Sequence, residues 1–366
     1  MARWSGGRDL RAIARAEWDH LVRFQASDRN WRMPLAAALA SGAPLLIGVW
    51  LGRPDFGLVS SLGGMVFLYL PETPLDHRMV TIMACAFAMI GSYALGVISH
   101  FFPPLQIPAL TFVAALTTMV CRYFRLPPPG CVFFVMAAAI GMYTPAEALE
   151  TPTKVGLLAL GALLACLIAF FYSLAMMRLR PPQPAPPPAS TDFDFVVVES
   201  LAIGAFIGAS LALAQALHLE RAYWAPVSCA AIVQSSSLRA VWTRQFHRIW
   251  GTGAGLLLTW ALLGLPLGPW GTAAVMTALA FVIETLVVRH YGLASAFITP
   301  MAIFLAESGG TEHASASALI AARFLDTLLG CAVGLVGGLC LHSERFRPVI
   351  GGVVRRALGI GSDPDR

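Results

Sequence analysis

Two ionisable residues lie three apart inside an otherwise apolar run, Arg323 and Asp326. Charged groups at such a depth are costly, turn toward the interior of a helical bundle and often mark an ion or substrate path. The spacing lets them pair with each other. It equally lets Arg323 hold a carboxylate ligand while Asp326 carries a proton, because a guanidinium keeps its charge whereas a carboxyl can gain and lose one. Glu284, a lone carboxylate late in another apolar segment, is open between a helix-end pair with Arg289 and a second proton-coupling role. An anion held away from water also needs neutral donors, and its apolar part needs an apolar wall. Thr299, Gln234 and Ser228 can supply the donors, and Tyr223 with Trp224 the wall. An interfacial aromatic belt explains that aromatic pair as well. His247 and Arg248 open an apolar segment and suit either headgroup anchoring or recruitment of an anion.

The segments carrying these groups are too apolar for a water-soluble fold. Of 366 residues 57% are hydrophobic and 12% charged, mean hydropathy is +0.70, and soluble domains carry about 25% charged residues. Runs at 81–99, 156–177, 195–216 and 273–288 approach the ~20 residues that cross a ~30 Å hydrocarbon core. They are apolar all round, which predicts helices and not barrel strands. The expected fold is all-α, polytopic, with about twelve spans. These form one bundle over 34–177 and a second over 195–341, joined by a proline-rich linker at 178–194. A basic leader at 1–33, with the spacing of an amphipathic surface helix, and a tail at 342–366 flank them.

With the N-terminus inside, Arg78, Arg122, Arg125, Arg178, Arg180, Arg239, Arg244, Arg248, Arg289 and the tail arginines fall in inner loops, whereas Glu147, Glu150, Glu307 and Glu312 fall outside. That asymmetry predicts an inner-membrane protein with both termini cytoplasmic. The net charge of +5 then reports contact with anionic lipid and not with nucleic acid. Cys85, Cys121, Cys131, Cys166, Cys229, Cys331 and Cys340 have no metal-type spacing and read as packed thiols. A single lysine, Lys154, belongs to no phosphate-binding loop, so no ATPase chemistry of that kind, no cofactor and no enzymatic activity are expected.

An internal repeat runs through both halves. Leu51, Arg53 and Phe56 recur as Leu219, Arg221 and Trp224, Arg78 as Arg248, and Arg125 as Arg289. Six spans per half make the repeats parallel, with a substrate path expected at their interface on short or Gly/Pro-interrupted helices. The second and fifth spans of each half are the short ones. Gly330, Gly334 and Gly338, spaced by four, read as a helix-packing face.

Three stretches carry a resemblance to a known family: Tyr223 to Gln234, Arg244 to Gly255 with Arg248, Gly251, Thr252 and Gly255, and Arg323 to Gly330 with Asp326 and Thr327. Here the chain resembles the fusaric acid resistance and aromatic acid exporter family, closely over roughly 222–340 and more weakly over 34–176. The resemblance implies a transporter exporting small aromatic or other organic acids. Its expected partners are the organic anion, protons and anionic lipids, with a periplasmic adaptor or a second copy of the chain as the open options for assembly. Two departures stand out: no large cytoplasmic domain follows either half, and Gly57 and Leu58 stand near the place of the second half's aromatic pair. A passive anion channel and a non-transporting assembly partner are the rival functions.

Overall fold

A computed structural model describes residues 24–27, 29–144, 147–179, 181–187, 194–307, 316–346, 349, 351–352 and 356. The amphipathic helix expected within 1–33 and most of the tail lie outside the described residues. Twelve α-helices and no strand occur among them: α1 (Arg32–Trp50), α2 (Pro54–Gly64), α3 (Leu75–His100), α4 (Gln106–Tyr123), α5 (Val132–Tyr143), α6 (Thr151–Met177), α7 (Glu199–Ala216), α8 (Trp224–Val233), α9 (Leu238–Leu263), α10 (Pro269–Leu286), α11 (Tyr291–Glu307) and α12 (Ala316–Leu341).

Seven helical segments are long and apolar enough to cross a membrane, namely α1, α3, α4, α6, α7, α10 and α12 with their short 3-10 or π extensions. The other five differ for two reasons. The helices α2, α5, α8 and α11 are the shortest, with 11, 12, 10 and 17 residues. At 1.5 Å per residue α8 is only about 15 Å long, half the hydrocarbon thickness. Every one of its ten residues is buried. A helix can stop at membrane depth only where protein covers its ends, and the sequence around α8 supplies that cover. Pro226 sits in its first turn, where no N–H is needed. At its other end Gln234 donates from Nε2 to the Ala230 carbonyl at 2.8 Å and accepts at Oε1 from the Cys131 N–H at 3.0 Å.

The helix α9 has ample length but a charged start. It begins at Leu238, nine residues before the 247 expected from the apolar run, capped by Ser237, whose hydroxyl accepts from the Ala240 N–H at 3.2 Å. Hydrophobicity marks only the part in lipid, whereas a capping serine and helix-compatible residues carry the helix beyond it. Arg239, Arg244, His247 and Arg248 therefore all ride on one helix, not on a loop.

The helices pack in matching pairs. In the first half α1 meets α2 and α6, α2 meets α6, α3 meets α5 and α6, and α4 meets α5. In the second half α7 meets α8 and α12, α8 meets α12, α9 meets α11 and α12, and α10 meets α11. Between the halves α4 packs on α7 and α10 on α1. Close approach at these crossings depends on small residues. A Cβ at Gly161 would overlap the Ser60 carbonyl oxygen, and one at Gly330 the Ala225 carbonyl oxygen. Gly334 sits against Cys229 and Ile232, and Gly338 against Val241, so the four-residue glycine spacing is a packing face.

Candidate functional site

A cavity of ≈ 1790 Å³ opens at one end of the bundle. Its mouth is built from the ends of helices and their loops: Asn30 before α1, Glu72 before α3, Arg125 to Gly130 between α4 and α5, Ser235 to Ser237 between α8 and α9, Arg289 and His290 between α10 and α11, and His342 after α12. Nine arginines and four glutamates line it, with no lysine or aspartate among the described lining residues. Two of the glutamates are already paired. Glu284 meets Arg29 at 3.2 Å, and Glu199 meets Arg122. The surplus is positive, and low-dielectric walls concentrate such a field on an entering anion.

Trp224 and Arg323 close the deep end. Both are 2% exposed, and the Arg323 guanidinium carbon lies 3.7 Å from the centroid of the Trp224 ring. That is cation–π contact distance, worth about 2 kcal/mol when desolvated. The Nε and Nη1 of Arg323 nevertheless have no hydrogen-bond partner. One turn further along α8, Ser228 accepts from Arg248 Nη2 at 3.4 Å, while Arg248 Nη1 donates to the Tyr291 hydroxyl at 3.4 Å. Both distances exceed the usual 2.7–3.2 Å range, and Arg248 Nε is unpartnered. A second cation, 4% exposed, is thus held loosely on the same wall.

Behind Trp224 an aromatic and amide layer forms a roof. Tyr223 lies 5.0 Å from Trp224 and 5.4 Å from Tyr143, ring centre to ring centre. Gln215 Nε2 donates to the Tyr143 hydroxyl at 2.9 Å and to Gln106 Oε1 at 2.7 Å. Tyr223 belongs to this roof and does not line the cavity.

The remaining sequence candidates are distributed as follows. Asp326 is 0% exposed, lies off the cavity, and neither carboxylate oxygen accepts a hydrogen bond. The i,i+3 pair is not formed, since the guanidinium of Arg323 is turned over the Trp224 ring. Thr299 also stays outside the cavity; its hydroxyl donates to its own helix at Ser295 O, and its side chain fills the space over Gly255 of α9. Gln234 lines the cavity while its amide holds the α5 entrance, where Gly130 has φ +59 and a Cβ would overlap the Gln234 oxygen. Only glycine meets both demands at no cost. Glu284 lines the mouth, and its partner is Arg29, not the Arg289 expected from proximity in sequence. Glu199 is held by Arg122 across the α4–α7 contact.

The chain-distant partners Arg29, Tyr291, Tyr143 and Gln215 have no local signature. One signal was available for the two ion pairs. Arg29 and Glu199 precede or open the first helix of each half, and Arg122 and Glu284 stand in the last turn of the fourth. Opposite charges occupy corresponding places, as a swapped packing of the halves requires.

Among curated proteins the chain is similar to the uncharacterized membrane protein YvaC of Bacillus subtilis (strain 168), 21% identical over 91% of this chain and 76% of that protein. No solved structure matches it. The seven membrane-length segments and this relative make the chain a multi-pass membrane protein. Residues 207–337, which carry Trp224, Arg248, Arg323 and Asp326, match the family described as fusaric acid resistance protein-like.

Proposed function

We propose that this protein exports small organic anions, aromatic carboxylic acids in particular, from the cytoplasm across the inner membrane in exchange for protons. The observation that carries this reading is the cavity lined by surplus arginines and including a guanidinium laid over an indole. A carboxylate would take the unpartnered N–H groups of Arg323 in charge-assisted hydrogen bonds, and its ring would find the Trp224 face and the apolar wall of Val227, Ala231 and Ile298. The fusaric acid resistance-like match over 207–337 supports transport.

In the same reading the basic mouth faces the cytoplasm, in line with the arginine-rich loops, and the two halves are parallel six-helix repeats. The matching helix pairs of the two halves support the repeat. A cavity that ends under a packed roof supports alternating access by a carrier over a passive channel. Asp326, a buried carboxyl with no partner beside the substrate arginine, is the proton carrier, and Glu284, tied to Arg29 at the mouth, is a part of the inner lock. The test is uptake of labelled benzoate by proteoliposomes of the purified protein, with and without an imposed pH gradient. Flux driven by the gradient is expected; flux no greater than in protein-free liposomes refutes the transporter, and flux indifferent to the gradient refutes the coupling.

A further inference from the structure

The second arginine on the cavity wall is not needed to hold a simple acid. Arg323 caps Trp224, and Arg248 reaches Ser228. Those two positions are four apart on α8, one helical turn, so the two guanidiniums meet the same face of that helix. They come from different helices, Arg323 from α12 and Arg248 from α9. Neither has a carboxylate partner among the described ion pairs, and each keeps at least one nitrogen without a hydrogen bond. Two buried cations held side by side repel, and an isolated buried charge is tolerated only when something neutralises it. Asp326 could offset one of them; a monoanionic ligand would then suffice only while Asp326 stays ionised.

We propose that the preferred substrate is a rigid aromatic acid with two anionic groups on one ring, one taken by Arg323 beside Trp224 and the other by Arg248 between Ser228 and Tyr291. This rests on the anion-transport reading above and sharpens its substrate class. The dianion neutralises the two guanidiniums without a contribution from Asp326, which stays free to carry its proton separately. Tyr291, which lines the cavity with Arg248, supplies a neutral donor that can turn to the second group, as an Arg248 bonded at 3.4 Å on both sides has room to tighten.

The experiment is competition in proteoliposomes of the full chain, with labelled benzoate as the transported probe and unlabelled benzoate and isophthalate as competitors at a pH where both carboxyls of isophthalate are ionised. Isophthalate is expected to inhibit at about tenfold lower concentration than benzoate, since one added charge-assisted hydrogen-bonded contact is worth at least a factor of ten. In Arg248→Gln the ratio of the two inhibitory concentrations should collapse to about one, and in Arg248→Lys it should be kept in part. The ratio is insensitive to how much protein folds. Equal potency in the parent protein, or an unchanged ratio in Arg248→Gln, overturns the two-arginine seat while leaving anion transport intact. Absence of benzoate flux in the parent overturns the transport reading and this one with it.

Discussion

Replacing Asp326 by asparagine tests the site at the point where stability and function pull apart. The carboxylate is fully buried and both its oxygens lack a hydrogen-bond partner, and a buried unsatisfied group costs about 1–3 kcal/mol, more when charged. Asparagine is nearly isosteric and removes the charge. If Asp326 is ionised in the resting protein the substitution removes a buried charge while leaving a neutral polar group, and if it is protonated the change is near neutral. The expected change in stability therefore lies between zero and a gain of about 3 kcal/mol. The readouts are thermal unfolding in detergent, where Asp326→Asn should melt no lower than the parent, and benzoate uptake, where accumulation driven by a pH gradient should vanish while exchange at equal pH persists. A loss of more than about 1 kcal/mol would show a stabilising partner for Asp326 and restore the view of a structural pair with Arg323. Full gradient-driven accumulation in the variant would remove Asp326 from the proton path.

Trp224→Ala should weaken transport of aromatic acids by about two- to tenfold relative to short aliphatic acids, since ring stacking is worth about 0.5–1.5 kcal/mol, and a parallel loss in both classes would assign Trp224 to packing alone. Gly330→Ala and Gly161→Ala should each cost about 1–3 kcal/mol of stability by overpacking, because the added methyl meets backbone carbonyls of α8 and α2 and not a movable side chain; unchanged melting would mean the helices can part freely. Arg29→Glu should lower stability and Arg29→Glu combined with Glu284→Arg should recover most of the loss, as expected of a cross-half ion pair at 3.2 Å; failure of the double variant to recover would reduce the contact to coincidence. In a background without native thiols, a cysteine at Leu149, 90% exposed, should react with an impermeant reagent in intact cells and one at the exposed Pro186 only after permeabilisation. The reverse pattern would place the arginine-lined mouth outside.

The sequence by itself determined the solvent of this protein, because composition and run length decide whether a segment can leave water, and neither depends on tertiary contacts. It also located the residues worth watching. An arginine and an aspartate in an apolar run announce themselves, and the four short helices followed from where apolar runs broke at Pro127 to Gly130 and around Pro226. The start of α9 was hidden, since apolar length marks lipid contact while helix length is set by Ser237 and by packing against α11 and α12. Partner choice was decided by the tertiary structure. Spacing allowed Arg323 to meet Asp326 and Glu284 to meet Arg289, yet the packing of α12 on α8 gave Arg323 the Trp224 ring, and that of α10 on α1 brought Arg29 to Glu284. Local spacing limits which side chains can touch, whereas the choice among them is made by the neighbouring helix that excludes water from one face and leaves the other open.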